Sequence, residues 1–335
     1  MKAAVLTGIK EMEIRDVPVP VAKDDQVLVK IEYVGICGSD IHYYEHGRIG
    51  DFVVSFPMIL GHECAGEIVE AGKSAKGFQR GDKVVIEPGY GCRVCDMCKQ
   101  GKYNLCGDMT FMATPPVDGA FCEYVAYPCD MVYPLPPGLS SLEGALVEPL
   151  AIGVYAAEKA GVVPGMDVLV LGAGCIGILT MMSCKAYGAR SVGITDLNGF
   201  RLEKARELGA DETFLAGKKQ LRENFFDVVI DCAGVEETLA QGIRAVKKGG
   251  KVLLVGLGSE GDIPLDIHRA VSKEISIDTV FRYRNVFKKT ISLIAGGKID
   301  VKGIVTHTYP LEDIGKAFAF TANNKGKVLK SVVRI

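Results

Sequence analysis

Four cysteines stand at 92, 95, 98 and 106 in the run GCRVCDMCKQGKYNLC, spaced C-x2-C-x2-C-x7-C. Short x2 spacings let a tight knuckle present two sulfurs to one ion. Four thiolates then fill the tetrahedral shell of a zinc, with bonds of about 2.3 Å. With every position taken by sulfur, none is left for water or substrate, so such a metal is structural. A second set has different chemistry. Cys37 lies in GICGSDIHYY, His62 and Glu63 in GHECAGE, and Glu148 in LVEPL. They offer sulfur, nitrogen and oxygen, and a catalytic zinc needs three protein ligands and an open position. Spacing alone does not make these residues converge, and a lone His or Cys is more often merely packed.

Gly172-Ala-Gly174-Cys-Ile-Gly177 follows the apolar run DVLVL and opens a helical pattern. In that context G-x-G-x-x-G binds a dinucleotide. The first glycine makes the tight turn, the second lets backbone approach a pyrophosphate, and the third packs helix on strand. The helix N-terminus offers unpaired N–H groups to the phosphates. Nineteen residues after Gly177 comes Asp196, ending SVGITD. A carboxylate there accepts from both ribose hydroxyls of NAD and repels the 2′-phosphate of NADP. Arg201 either covers the adenine or is a solvated helix-surface residue.

The elements that must position these groups fall into two patterns. Residues 1–87 carry short Val-, Ile- and aromatic-rich runs between Gly, Asp and Pro turns, which predicts strands. Residues 88–108 lack periodicity, and a loop of that length needs an internal clamp. From Glu148 onward, buried strand patterns alternate with helical ones. That alternation predicts an α/β fold with a doubly wound, Rossmann-type parallel sheet over 149–280. Residues 1–148 and 281–335 then form a β-rich domain carrying the lobe 88–108. A chain of 335 residues is long enough for two such cores.

Composition narrows the function classes. The chain has 39 basic and 41 acidic residues and a formal charge of −2. No basic run reaches five residues, so no nucleic-acid footprint or membrane-surface helix is expected. The most apolar stretch, Val168 to Cys184, is broken by glycines and reads as a buried strand and helix rather than a bilayer span. The opening MKAAVLTGIKEMEIRDV has no apolar core of the secretory kind. With eleven cysteines, an odd number, a disulfide scaffold is not expected and a reducing cytoplasm is.

The stretches GICGSDIHYYEHGRIGDF, MILGHECAGEIVEAG, GDKVVIEPG, CDMCKQGKYNLC, ALVEPLAIG, VLGAGCIG, ITDLN, VGLGSE and VFRYRN carry a family likeness. Through them the chain resembles the zinc-dependent medium-chain alcohol dehydrogenases, and most closely their polyol branch, over essentially its whole length. The resemblance implies a GroES-like catalytic domain beside the Rossmann domain, NAD as cofactor, and one catalytic and one structural zinc per chain. It implies that Cys37, His62 and Glu63 hold the catalytic zinc, with Glu148 binding it directly or through a water. Simple alcohol dehydrogenases have a cysteine where Glu148 stands, and this departure favours the polyol branch. Ser39 and His42 match the hydroxyl and imidazole that pass the substrate proton outward. Tyr43, Arg282 and Tyr283 match polyol contacts, together with Glu148. Ile176, Val255, Gly256, Leu257, Val280, Phe281 and Arg282 fall at cofactor positions. A homo-oligomer, tetramer or dimer, is also implied.

The expected function is oxidation of a secondary hydroxyl of a small-molecule polyol such as sorbitol, xylitol or L-iditol to the ketose, in a cleft between the domains. A phosphorylated polyol or an amino-acid alcohol is an alternative substrate, and Arg269, Arg282 and Arg284 would serve a phosphate. A non-catalytic NAD-binding protein is the alternative from another class. It has no physical need for Cys37, Ser39, His42, His62, Glu63 and Glu148 together.

Overall fold

The computed structural model describes residues 1–258 and 261–335, so the last two residues of the VGLGSE stretch lie outside the described residues. The chain divides into two units. One comprises Met1–Glu148, Phe287–Gly296 and Asp300–Ile335, and the other Pro149–Val286 and Gly297–Ile299. Residues 281–286, grouped with the β-rich part on sequence, lie in the second unit. There Tyr283 and Val286 are buried, and the Arg284 guanidinium stands over the Tyr155 ring.

The first unit is built around the strand Gln26–Ile36, whose Val27, Val29, Ile31 and Val34 are fully buried. On one side it pairs antiparallel with Glu63–Ala71. On the other it pairs first with Tyr124–Pro128 and then with the C-terminal strand Lys330–Arg334. The sheet continues through Lys83–Ile86 to Val132–Pro134 at one edge and to Val305–Pro310 at the other. The core is aliphatic with an aromatic centre, where Phe121 meets Phe318 edge-on at 5.5 Å.

Two buried carboxylates pin this unit. The first is Glu63, which stands opposite Gly35 in the register. A Cβ at Gly35 would lie 1.9 Å from Glu63 Oε2. The bare glycine therefore lets the Glu63 side chain cross the central strand. It reaches Lys330, whose Nζ donates to both carboxylate oxygens at 2.6 and 2.7 Å and to the Ile36 carbonyl at 3.2 Å. The second is Glu87, just past Lys83–Ile86. It accepts from the Tyr103 hydroxyl at 2.5 Å and the Tyr133 hydroxyl at 2.9 Å. Tyr103 lies between Cys98 and Cys106, so Glu87 ties the cysteine lobe to the sheet.

The second unit carries a six-stranded parallel sheet in the order Glu212–Leu215, Ser191–Asp196, Asp167–Leu171, Phe226–Asp231, Val246–Leu254, Ser276–Thr279. In order of appearance this is 3-2-1-4-5-6, the doubly wound arrangement with its crevice where the strand order reverses. Asp167–Leu171 is buried throughout, and the helix Cys175–Ala186 that follows it is almost entirely apolar. That pair accounts for the apolar run from Val168 to Cys184. Among the described residues no helix is long and apolar enough to cross a membrane.

Two outcomes follow from the buried carboxylates. Lys330→Met leaves Glu63 as a buried, unpaired charge and should lower the unfolding free energy by about 3–5 kcal/mol in urea titrations. A change under 1 kcal/mol would show that the pair is not needed for stability. Burial pushes the Glu87 carboxyl up from its ordinary 4.5 to about 7, against the two phenol hydrogen bonds that favour its ionised form. Its folded value therefore lies above its unfolded one, and the native state holds the proton more tightly. This stabilisation is complete below about pH 4.5 and is lost as pH rises through about 7. The melting-temperature difference between wild type and Glu87→Gln should shift across that window, and a flat difference would refute the assignment.

Candidate metal centres and cofactor site

The sheet register itself brings the first donor set together. Because Gly35 faces Glu63, the chain leaving the central strand at Ile36 meets the chain entering Glu63–Ala71. Cys37 Sγ, a His62 ring nitrogen and a Glu63 carboxylate oxygen lie within 4.8 Å of one another. His62 and Glu63 are buried and Cys37 is half-buried. Gly61, at φ +91°, turns the chain into the site, and Phe111 packs edge-on against the His62 ring at 5.5 Å.

Asp40 holds both sides of this junction. It sits in the first turn of the helix Gly38–His46 and is fully buried. Its carboxylate accepts from the Cys37 N–H at 2.9 Å and the Gly61 N–H at 3.0 Å, and lies 3.8 Å from His62 Nδ1. Sequence reading missed Asp40 and Lys330. Asp40 was legible in principle, as an acidic residue three positions after a helix cap. Lys330 gave no signal, being 267 residues from Glu63.

The electrostatics suit a cation. Burial drives the His62 ring toward its neutral form, yet Cys37, Asp40 and Glu148 outweigh it and pull the imidazole up to about 10. Burial raises the Asp40 carboxyl despite His62 beside it. Sulfur, nitrogen and oxygen donors in a pocket of net negative character match what zinc takes, so the residues present fit that metal. Glu63 keeps lone pairs beyond those Lys330 uses, since a carboxylate offers about four. Glu148 is buried, and its charge is felt at His62, though it is outside the mutually close set.

Ser39 and His42 share the helix Gly38–His46, three residues apart and so neighbours on its surface. Ser39 is half-buried and His42 exposed. The helix begins at Gly38 with Cys37 at its cap, so Ser39 is not the cap. Tyr43, on the same helix, is buried in the core of the first unit.

Cys92, Cys95, Cys98 and Cys106 form the other set, their sulfurs all within 4.8 Å of one another. Cys95 and Cys106 Sγ are 3.7 Å apart. Two sulfurs on one zinc at the tetrahedral angle stand about 3.8 Å apart. Backbone N–H groups already aim at them, from Cys92 to Cys106 Sγ and from Cys95 to Cys92 Sγ, each at 3.3 Å. Hydrogen bonds from the Val94 and Cys95 amides bring the Cys92 thiol down to about 7. A Cβ at Gly91 would lie 2.5 Å from Cys98 Sγ. All eleven cysteines are free thiols.

In the second unit the candidate cofactor residues gather at the carboxyl ends of the parallel strands. Gly172, at φ +94°, makes the turn after Asp167–Leu171. A Cβ on Gly177 would strike the Gly172 carbonyl at 1.8 Å, whereas one on Gly174 would meet nothing within 4 Å. The space over Gly174 and the helix that starts at Cys175 fit a pyrophosphate. Ile176 lies in the first turn of that helix. Asp196 Oδ2 accepts from the Ala173 N–H and Oδ1 from the Asn198 N–H, each at 2.8 Å, which holds the carboxylate at the strand end. Arg201 Nη1 stands 3.7 Å from that carboxylate, so Arg201 is tied to Asp196 rather than free in solvent.

Val255 and Gly256 donate to the Asp231 carbonyl at 2.8 and 2.9 Å, which brings the loop after the fifth strand against the fourth. Leu257 projects beyond them, 83% exposed. Val280 donates to the Leu254 carbonyl at 2.8 Å at the end of the sixth strand. Phe281 is 44% exposed, with the Arg282 guanidinium 5.0 Å over its ring, and Arg282 has φ +55°. Tyr283 is buried.

Known proteins share this fold. Residues 23–137 match the family model of the alcohol dehydrogenase GroES-like domain, and residues 175–296 that of the zinc-binding dehydrogenases. Sorbitol dehydrogenase of Bacillus subtilis is 42% identical, with 99% of this chain and 97% of that protein covered. The crystal structure of 2R,3R-butanediol dehydrogenase from Bacillus subtilis superposes with a TM-score of 0.92 at 30% identity, covering 100% of this chain and 99% of the other. Galactitol-1-phosphate dehydrogenase from Escherichia coli does so with a TM-score of 0.92 at 26% identity, with both chains covered completely. The chain belongs to the zinc-dependent medium-chain alcohol dehydrogenase family, in its polyol branch.

Proposed function

We propose that this enzyme oxidises a secondary hydroxyl of an unphosphorylated sugar alcohol, such as sorbitol, xylitol or L-iditol, to the ketose with NAD. The observation that carries this reading is the convergence of Cys37, His62 and Glu63 in a buried pocket of negative character. In this reading these three hold a catalytic zinc, Glu148 assists them, and the four cysteines at 92, 95, 98 and 106 hold a structural one. When bound, zinc supplies the Lewis acidity that eases loss of a hydroxyl proton, and NAD supplies the hydride acceptor.

The chain's own residues do the rest. Ser39 accepts the substrate proton at hydrogen-bond range, and His42, exposed one helical turn on, passes it to water. Asp40 fixes the backbone at Cys37 and Gly61, which keeps two donors in register. Lys330 holds the Glu63 carboxylate and offsets one negative charge of the pocket. Gly172, Gly174 and Gly177 seat the pyrophosphate, and Asp196 takes the adenosine ribose. Ile176, Val255, Gly256, Leu257, Val280, Phe281 and Arg282 line the rest of the cofactor path. Arg282, with Tyr43 and Tyr283, answers the further hydroxyls of a polyol, each of which needs a partner when buried.

Of the three arginines that would serve a phosphorylated polyol, Arg269, Arg282 and Arg284, the first is engaged elsewhere. It stands 3.5 Å from Asp266 and 3.6 Å from Glu223, so its charge is already answered. A homo-oligomer also belongs to this reading. Among the described residues, Ser276–Thr279 pairs only with Val246–Leu254, and Ile267, Val271 and Ile277 are exposed near that edge. Eleven free thiols suit a reducing compartment such as the cytoplasm.

A panel of sorbitol, xylitol, L-iditol and a phosphorylated hexitol, run with NAD and NADP alongside metal analysis, tests the proposal. The three free polyols should be turned over with NAD, and preference for the phosphorylated one would overturn the substrate assignment. Cys37→Ser should lower kcat/KM by at least about 100-fold and remove one zinc per chain while NAD binding persists. Near-normal turnover in that variant would remove the catalytic-zinc assignment. Asp196→Ala should cut the NAD-over-NADP ratio of kcat/KM by about 10–100-fold, since it deletes hydrogen bonds to a charged acceptor. An unchanged ratio would place cofactor selection elsewhere.

A further inference from the structure

His42 and His46 stand four residues apart on the helix Gly38–His46, on one face of it. Their ring centroids are 4.7 Å apart, with the planes inclined at 59°. Both side chains are exposed. The helix beneath them is fixed. Asp40, Ile41, Tyr43 and Tyr44 are buried on its other side, and Gly47, at φ +67°, closes it with its N–H on the Tyr43 carbonyl at 2.8 Å. Two imidazoles therefore project from a rigid support toward water. Neither makes a hydrogen bond or ion pair with another described residue, and each touches the other's ring.

We propose that His42 and His46 form a third, peripheral divalent-cation site, distinct from both proposed zinc centres and selective for imidazole-preferring ions of the zinc, nickel and copper kind. Nitrogen–metal bonds of about 2.0–2.1 Å place two nitrogens on one tetrahedral ion about 3.3 Å apart. A ring spacing of 4.7 Å reaches that arrangement by side-chain rotation alone. The same i, i+4 pair of histidines on one helix face is how helical zinc sites supply two ligands. The intervening Glu45 is turned to Lys325 at 3.1 Å, so water completes the shell. The chain has five histidines, and no other two of them share this spacing, which makes the pair identifiable by substitution. The consequence for turnover rests on the proposed role of His42 in passing the proton outward. A cation on its imidazole removes that acceptor, so the site is inhibitory.

The test is calorimetric titration of the zinc-loaded enzyme with Ni2+, with zinc content measured before and after to separate exchange from added binding. Wild type should bind one extra Ni2+ per chain. His46→Gln, at an exposed position outside the proposed catalytic set, should keep its activity without nickel and bind the extra ion at least tenfold more weakly. Cu2+ EPR of the wild type should show coupling to two imidazole nitrogens. Equal Ni2+ affinity in the two proteins, or coupling to fewer than two nitrogens, overturns the site. Nickel should slow wild type and spare His46→Gln. If the extra ion is lost in His46→Gln but wild-type turnover never responds to nickel, the site stands and the proton route through His42 falls.

Discussion

One ion pair sets the terms for the first unit. The Glu63 carboxylate crosses the central strand over Gly35 and meets Lys330, which comes from the last strand of the chain. Removing two charges from water is costly, and only close, well-made contacts repay it. Here Lys330 satisfies both carboxylate oxygens and uses a third donor on the Ile36 carbonyl. The pair thereby locks three strands at the point where Cys37 and His62 arise. The proposed catalytic centre and the closing of the sheet are thus the same piece of structure, and register errors in one would scatter the other.

The pocket beside that pair is over-supplied with negative character. Cys37, Asp40 and Glu148 pull one imidazole toward its charged form, and Lys330 answers Glu63. A buried arrangement of this kind calls for a further cation. The four-cysteine lobe makes the same demand by other means. Burial lifts Cys98 to about 12 while backbone amides lower Cys92 to about 7. Four neighbouring thiols cannot all ionise without a positive charge among them. The difference between the sets lies in closure. The lobe surrounds its centre with sulfur on all sides, whereas the Cys37 set has three close donors and Glu148 standing off.

The second unit works by leaving room rather than by supplying charge. Gly177 must be bare because the Gly172 carbonyl occupies the place of its side chain, and Gly174 is bare over open space. Asp196 is spoken for by two backbone amides before any ligand arrives, which fixes its direction. Arg201 beside it tempers its charge without cancelling it. The carboxyl ends of the other strands bring Val255, Gly256 and Val280 to the same edge of the sheet.

The sequence by itself determined the parts that rest on local spacing and period. The four cysteines, the glycine run with Asp196 behind it, and the alternation of strand and helix from Glu148 all follow from backbone geometry over a few to some thirty residues. Sequence also supplied the identity of the Cys37, His62 and Glu63 donors, through resemblance rather than spacing. Only the tertiary structure decided that these three donors meet, that Asp40 ties Cys37 to Gly61, and that Lys330 answers Glu63. It also decided that Arg201 turns to Asp196, that Tyr43 and Tyr283 are buried, and that His42 and His46 face water together. The physical reason is range. Helix and turn chemistry is written between near neighbours, whereas contacts across a sheet join residues as far apart in the chain as Lys330 and Ile36, 294 positions, and nothing in a linear pattern marks which lysine will be the partner.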